Sequence, residues 1–196
     1  MSDLKADLIK LFVETGSFKH DREGKFKLSS GVKSEFYVDC KALMSSPQAR
    51  NLVAQLAFEK VRNLNFDCIG GLEIGAIAIS TAISDFAYRE TLGSCSRPTF
   101  VVRKERKEHG LGNKIEGLAR GRALIVDDVL TSGGSILKAV DAAREAGLTV
   151  EYALVIVDRE EQEGRTRVEK EGLKLISLLT IKDFHPIKNM TPAFAS

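Results

Sequence analysis

The chain has 196 residues, a length typical of one ordinary domain that can bury a sizeable core. Its formal net charge of only +2 argues against general nucleic-acid binding, and its 43% of hydrophobic residues is ordinary for a globular protein. The three cysteines, Cys40, Cys68 and Cys95, are sparse and far apart, which argues against a disulfide framework and a structural zinc site.

The first residues of the chain carry charges at positions where a secretory signal peptide needs an apolar run. Apolar stretches elsewhere are all shorter than the roughly 20 residues that a membrane-spanning helix requires. We therefore expect a cytoplasmic protein with reduced thiols, and with neither a nucleic acid nor a membrane as its partner.

The N-terminal part of the chain does not follow a regular alternation of strands and helices. Residues 4–15 repeat apolar side chains at helical spacing, which predicts a helix. Residues 26–28 and 36–39 are typical of two short extended segments, joined by a turn at 29–31. We expect residues 1–45 to form a small N-terminal hood segment over one end of a sheet.

Residues 46–196 are expected to form the core as a single structural unit. Ser46 and Pro47 fit a helix start, with the serine as cap and the proline at the first helical position, and this helix is predicted to run to about Leu64. Further helices are predicted at 75–88 and 135–146, and strands at 66–70, 99–102, 123–126, 150–157 and 173–179. Strands that alternate with helices predict an α/β fold with a mostly parallel central sheet flanked by helices.

The strongest functional signal follows the predicted strand at 123–126. Asp127 and Asp128 stand at its end, and residues 129–135 are rich in hydroxyls and glycine. The glycines let the backbone approach a ligand closely, and the N-terminus of the next helix suits a phosphate. Two carboxylates would repel that phosphate, but they suit sugar hydroxyls or Mg²⁺ held by other groups of the ligand. A ribose 5-phosphate fits these demands better than a simple helix cap does.

This segment resembles the donor-binding motif of the type I phosphoribosyltransferases. The resemblance implies that Asp127 and Asp128 face the ribose hydroxyls of 5-phosphoribosyl 1-pyrophosphate (PRPP), with Asp128 among the catalytic residues. It implies Mg²⁺ as a cofactor that is held mainly by PRPP near these two acids, without direct protein ligands. The PRPP-binding residues implied in this segment are Asp127, Asp128, Val129, Leu130, Thr131, Ser132, Gly133, Gly134 and Ser135.

A basic stretch at 103–116 leaves another predicted strand. Such a charge run is most often a solvated surface loop, but a departing pyrophosphate needs positive charge, which a closing loop supplies while it excludes water. The stretch is similar to the mobile catalytic loop of orotate phosphoribosyltransferases. That resemblance implies a homodimer with this loop shared across the interface, and PRPP binding by Arg103, Lys104, Lys107 and His109. Lys107 and His109 would act as catalytic residues on the leaving group.

Residues 26–39 resemble the N-terminal signature of the same family, and Asp158-Arg159 resembles its motif for the carboxylate of orotate. A planar guanidinium suits a carboxylate well. The orotate-binding residues implied are Ser29, Tyr37, Thr131 and Arg159. Ser29 stands where many members have a lysine, Tyr37 fits ordinary strand packing equally well, and Arg159 could instead form a surface ion pair with Glu160 or Glu161.

Residues 71–76 are expected to form the pyrophosphate loop, in which the carboxylate of Glu73 is out of place because it does not favour a pyrophosphate. It either points away from the ligand or approaches a metal.

The resemblance implies transfer of the 5-phosphoribosyl group from PRPP to orotate, giving orotidine 5′-monophosphate and pyrophosphate in de novo pyrimidine biosynthesis. One alternative is a type I phosphoribosyltransferase for a different nucleobase, which Ser29 and the late position of Gly164 favour. The other alternative is a non-catalytic PRPP-binding regulator, which the intact basic loop disfavours.

Overall fold

The computed structural model describes residues 3–21, 26–27, 33–105 and 114–187. Its helices are α1 (Leu4–Glu14), α2 (Cys40–Ser45), α3 (Pro47–Val61), α4 (Gly75–Glu90), α5 (Gly134–Glu145) and α6 (Gly164–Lys170), and a 3-10 helix spans Ile181–Ile187. The strands are β1 (Phe18–His20), β2 (Phe26–Lys27), β3 (Lys33–Ser34), β4 (Phe36–Val38), β5 (Cys68–Leu72), β6 (Thr99–Val102), β7 (Ile115–Gly117), β8 (Arg122–Leu130), β9 (Thr149–Asp158) and β10 (Lys174–Thr180).

The central sheet has six strands in the order β10-β9-β8-β5-β6-β7. All neighbouring pairs in it are parallel except β6 and β7, which are antiparallel. The chain reaches β6 on one side of β5 and β8 on the other, so the strand order changes direction between β5 and β8. Open α/β sheets bind ligands outside the carboxyl ends of the strands at such a point. The predicted α/β fold with a mostly parallel sheet is confirmed.

Strand β8 is buried on both faces of the sheet. Leu124 and Val126 belong to the hydrophobic cluster that includes α1, α3 and α4, whereas Ala123 and Ile125 belong to the cluster that includes α5. Helices therefore cover both faces, which explains why the sequence of this strand is continuously apolar rather than alternating.

The strand that carries the acidic pair is longer than the sequence predicts. It continues beyond Val126 to Leu130, so Asp127 and Asp128 lie inside β8 rather than after it. The reason is that β9 pairs with this part of the chain too, with Asp127 opposite Val155. Short elements that lack a clear apolar period were not predicted: β1, β3, α2, β7, α6 and the 3-10 helix.

The N-terminal residues pack on the core through aromatic rings. Phe12 meets Phe184 edge-on with ring centroids 5.0 Å apart, and Phe18 stacks on Phe184 at 4.6 Å. Strand β1 pairs with β4, which carries Tyr37. None of the helices in the described ranges has the length and apolar character needed to cross a membrane.

Candidate active site

A cleft of about 400 Å³ opens at the carboxyl ends of β5 and β8. It is lined by the end of β5, the first turns of α4 and α5, the acidic part of β8, and parts of β4 and α2. A cavity of about 470 Å³ lies elsewhere, beside Asp67, Arg97 and Arg120, and none of its lining residues was predicted to bind a ligand. The cleft is the better candidate because it gathers the predicted chemistry at the switch point of the sheet.

Two helices begin at this cleft without a side-chain cap. The N-cap of α4 is Ile74 and that of α5 is Gly133, and neither position has a side chain that bonds to the first turn. Gly75 and Ser135, from the first turns of α4 and α5, both line the cleft. Unpaired N–H groups and a partial positive charge are concentrated at each helix start. The cleft thus offers two separate places for a phosphate group.

The end of β5 and the start of α4 both pack closely against β8. A Cβ atom at Gly71 would collide with the carbonyl oxygen of Val126, and one at Gly75 would come within 3.0 Å of the carboxylate of Asp128. Glycine at these two positions brings the end of β5 and the first residue of α4 directly beside the acidic strand β8.

The loop before α5 packs against α6. Gly133 has a φ of +80°, a conformation that favours glycine, and a Cβ atom there would meet Val168 at 2.9 Å. At Gly164 a Cβ atom would collide with the carbonyl oxygen of Thr131. The late glycine that the sequence left unexplained therefore begins α6 and supports the hydroxyl-rich loop.

The acidic pair is held by backbone donors and is unequal in burial. The amide of Asp128 donates to Asp127 Oδ1 over 2.9 Å, and the amide of Val129 donates to Asp128 Oδ1 over 2.9 Å. Asp127 is only 7% exposed. Burial, and secondarily the adjacent charge of Asp128, raises the pKa of Asp127 to about 7. A ligand hydroxyl that donates to Asp127 would favour its ionised form.

Lys41 is a site residue that the sequence did not reveal. Its Nζ lies 3.3 Å from Asp128 Oδ2, and it lines the cleft from the first turn of α2. That helix is capped by Asp39, whose Oδ1 accepts from the amides of Lys41 and Ala42. The Asp39 cap is a signal for the start of α2, but the local sequence does not show that Lys41 faces Asp128.

Arg159 lies in the cleft wall, almost completely buried at 3% exposure. Its Nη2 donates to Ser34 Oγ over 2.7 Å and to the carbonyl oxygen of Phe36 over 3.1 Å. Its Nε and Nη2 also donate to the carboxylate of Glu161. The ion pair with Glu161 considered from the sequence is thus present, but it is buried on the arginine side rather than a surface pair.

Tyr37 is partly exposed at the cleft, and its hydroxyl donates to Asp39 Oδ2 over 3.3 Å. The negative charge of Asp39 raises the pKa of Tyr37. Its ring lies 5.7 Å from that of Phe26, so one side of the tyrosine is packed while the other borders the cleft.

The first two residues of the basic stretch lie in different places, one at the cleft and the other at the edge of the sheet. Lys104 lines the cleft, and its amide donates to Glu73 Oε1 over 2.8 Å. Glu73 therefore anchors the beginning of this stretch. Arg103 turns toward β7, where its Nη1 lies 3.9 Å from Glu116 Oε1, and it is not among the residues that line the cleft.

Comparison with known proteins decides the family. A model described as "Phosphoribosyl transferase domain" matches residues 39–186. An orotate phosphoribosyltransferase from Pyrococcus horikoshii is 41% identical over 184 residues, which cover 92% of this chain and 92% of that protein. The chain belongs to the orotate phosphoribosyltransferase family.

Solved structures of this family share the fold. The orotate phosphoribosyltransferase of Mycobacterium tuberculosis H37Rv in complex with Fe(III) dicitrate superposes with a TM-score of 0.78 at 32% identity, covering 93% of this chain and 99% of that one. Its complex with PRPP gives a TM-score of 0.71 at 26% identity, covering 93% of this chain and 92% of that one.

The structure brings together most, but not all, of the residues implied by the phosphoribosyltransferase resemblance. Those that line the cleft are Tyr37, Lys104, Asp127, Asp128, Val129, Thr131, Ser135 and Arg159. Those described elsewhere are Arg103, Leu130, Ser132, Gly133 and Gly134. Leu130 is buried in the core, where its carbonyl accepts from the amide of Arg159. Ser29, Lys107 and His109 lie outside the described residues.

Proposed function

We propose that this chain is an orotate phosphoribosyltransferase, which transfers the 5-phosphoribosyl group of PRPP to orotate in pyrimidine biosynthesis. The observation that carries the proposal is the pair of uncapped helix starts, α4 and α5, on either side of the acidic pair in one cleft. PRPP has the matching order of groups, with a pyrophosphate at one end, a diol in the middle and a phosphate at the other end.

The donor fits this cleft in one direction. Residues 131–135 and the start of α5 suit the 5′-phosphate, because hydroxyls and backbone N–H groups converge there. Asp127 and Asp128 suit the ribose hydroxyls. The start of α4 and the side chain of Lys104 remain for the pyrophosphate, on the far side of the acidic pair.

For the base we propose Tyr37, Thr131 and Arg159, together with Ser29, which lies outside the described residues. Tyr37 offers an apolar ring face at the cleft, and Thr131 offers a hydroxyl. Arg159 supplies a guanidinium that can bind the carboxylate of orotate, and its place in the cleft wall fixes the depth at which that carboxylate sits.

The reaction requires little acid–base chemistry. The C1′–O bond of PRPP breaks and its electron pair leaves with the pyrophosphate, while N1 of orotate forms the new bond to C1′ and releases its proton, which the departing pyrophosphate or water can accept. Asp127 and Asp128 hold the ribose in place. We propose that Lys107 and His109 stabilise the leaving pyrophosphate as catalytic residues, since a cation or a hydrogen-bond donor is needed there.

We propose Mg²⁺ as the cofactor. Within the described ranges no group of three or more His, Cys, Asp and Glu side chains could hold a metal ion. The acidic pair fits a metal whose other ligands are oxygens of PRPP, with Asp127 and Asp128 nearby rather than as a complete cage. When bound, the ion would neutralise charge on the pyrophosphate.

We further propose a cytoplasmic homodimer in which residues 103–116 of one subunit reach the partner's cleft. Lys104 lines the cleft of its own subunit, so the stretch begins at one cleft, and the residues that follow Lys104 would extend to the partner's. The free thiols of Cys40, Cys68 and Cys95 suit the reducing conditions of the cytoplasm.

The first test is loss of orotate absorbance when purified protein, Mg²⁺ and PRPP are combined, with Lys107→Ala as the loop variant and Lys60→Ala as a control. Lys60 is exposed near the end of α3, so its removal should leave the rate unchanged. Orotate consumption that Lys107→Ala loses would support both the substrate and the role of the loop. Consumption of adenine, hypoxanthine or uracil instead of orotate would contradict the proposed base.

A further inference from the structure

The pyrophosphate side of the cleft has few cations of its own. Residues 71–76 contain one charged side chain, that of Glu73, which is bonded to the amide of Lys104. Arg159 lines the cleft, but its guanidinium is buried and held by Glu161. Among the described residues that line the cleft, the remaining cations are Lys104 and Lys41.

Lys41 stands between the acidic pair and the start of α4. Besides the main cleft, it lines a smaller adjoining pocket of about 250 Å³ together with Ile74, Gly75 and Asp128. Its Nζ bonds to Asp128 Oδ2 over 3.3 Å, and its side chain is 65% exposed. The ammonium group can therefore turn from the acid toward the first turn of α4 without leaving the cleft.

The bond between Lys41 and Asp128 is of a kind that exchanges easily. The Asp128 side chain is only 16% exposed, but the ammonium group of Lys41 is reached by water and salt, which screen such a pair. A pyrophosphate carries more negative charge than one carboxylate and competes well for the same ammonium. Release of Lys41 would also free one acceptor site on Asp128 Oδ2 for a ribose hydroxyl.

We propose that Lys41 is a further donor-binding residue, whose ammonium group moves from Asp128 to the pyrophosphate of PRPP when the donor enters. The exchange couples two events, because the same movement supplies charge to the pyrophosphate and frees Asp128 for the ribose. This inference rests on the proposed placement of PRPP. It gives Lys41 a role in binding PRPP and pyrophosphate, and none in binding the base.

The test is calorimetric binding of PRPP, of pyrophosphate and of ribose 5-phosphate, each with Mg²⁺ and without any base, to the full-length protein. The variants are Lys41→Gln, Lys41→Arg and the exposed control Lys60→Gln. Lys41→Gln should weaken PRPP and pyrophosphate about tenfold, the effect expected for one charge-assisted hydrogen bond. Ribose 5-phosphate should bind Lys41→Gln as well as or better than the wild type. Lys41→Arg should retain most of the affinity for pyrophosphate.

Unchanged pyrophosphate affinity in Lys41→Gln would overturn the inference. So would an equal loss for ribose 5-phosphate, because Lys41 would then only position Asp128. Thermal unfolding of each variant shows whether a loss of binding comes from a loss of folding. A wild type that binds PRPP through Lys41 but consumes no orotate would support the inference and contradict only the proposed base. If the wild type consumes orotate and Lys41→Gln binds PRPP and pyrophosphate as tightly as the wild type does, the inference is wrong and the proposed function stands.

Discussion

Arg159 donates from Nε and from Nη2 to the two carboxylate oxygens of Glu161, with both distances at 3.1 Å. A guanidinium offers a carboxylate ligand this same two-pronged geometry. Glu161 therefore occupies an edge of the Arg159 guanidinium that the carboxylate of orotate could use. An internal carboxylate would compete with the substrate for the arginine.

Replacing Glu161 with glutamine should lower the KM for orotate about threefold, since removing a competing charge recovers a fraction of one charge-assisted hydrogen bond. The KM for PRPP should not change. The ligand-free variant should also be less stable, because Arg159 is buried and loses its charged partner. Steady-state kinetics and thermal unfolding, each with Glu160→Gln as the control on the same loop, would check these outcomes. Glu160 pairs with Lys182 instead. A higher KM for orotate would mean that Glu161 positions Arg159 rather than competing for it.

Stability should depend on pH through Asp127. Because its pKa is raised from 3.8 to about 7 in the folded protein, the folded chain keeps a proton that the unfolded chain releases. The resulting stabilisation is complete below the ordinary carboxyl pKa and is lost as the pH rises through about 7. Asp127→Asn should remove this fall, so that at pH 8 the ligand-free variant is more stable than the wild type by on the order of 2 kcal/mol.

Urea unfolding at a series of pH values measures this effect, with the exposed Asp141→Asn on α5 as the control. If the free energy of unfolding changed with pH in the same way for the wild type and Asp127→Asn, from the ordinary carboxyl pKa up to pH 8, Asp127 would not titrate in that range. The same variant should bind PRPP more weakly, because an amide accepts less strongly from ribose hydroxyls than a carboxylate does.

The role of the loop at the start of α5 can be tested by replacing two glycines that have nearly the same φ. Gly133 and Gly147 have φ values of +80° and +83°, but only Gly133 would bring a Cβ atom against Val168. Each alanine should cost about 1 kcal/mol for the left-handed conformation, and Gly133→Ala about 1–3 kcal/mol more for the collision.

Gly133→Ala should also raise the KM for PRPP, because the loop that faces the 5′-phosphate must shift. Gly147→Ala, at the far end of α5, should leave the kinetics intact. Denaturant unfolding and kinetics on both variants separate strain from function. If both variants lost PRPP affinity alike, the loop geometry at Gly133 would not be what binds the phosphate.

Metal removal should abolish turnover without affecting the fold. We expect Mg²⁺ to enter with PRPP, because the described residues hold no cluster of three metal-binding side chains. Titration of Mg²⁺ into the protein alone should give no saturable binding, while PRPP should bind more weakly in a chelator. Tight, stoichiometric Mg²⁺ binding by the protein without PRPP would argue for a resident metal site instead.

The contiguous parts of the site were predictable from the sequence. Residues 123–135 contain a buried strand, two acids and a glycine-rich turn, an order that suits a ribose 5-phosphate better than a helix cap, and the fold follows from the alternation of strands and helices around it. Contacts between distant residues were not. Lys41 and Asp128 are 87 positions apart, and nothing in either local sequence states that they meet. The role of Glu73 was also hidden, because its partner is a backbone amide.

The family model begins at Asp39, the residue that caps α2, and thus leaves out β4 and its Tyr37. Arg159, which lies inside the matched region, ties these N-terminal strands to the core through Ser34 and Phe36. Strands β1 to β4 form two small sheets of their own, and they contribute neither to the central sheet nor to the two helix starts and the acidic pair. Substitutions in these N-terminal strands would therefore bear on the proposed recognition of the base through Tyr37, and leave in place the parts of the cleft that we assign to PRPP.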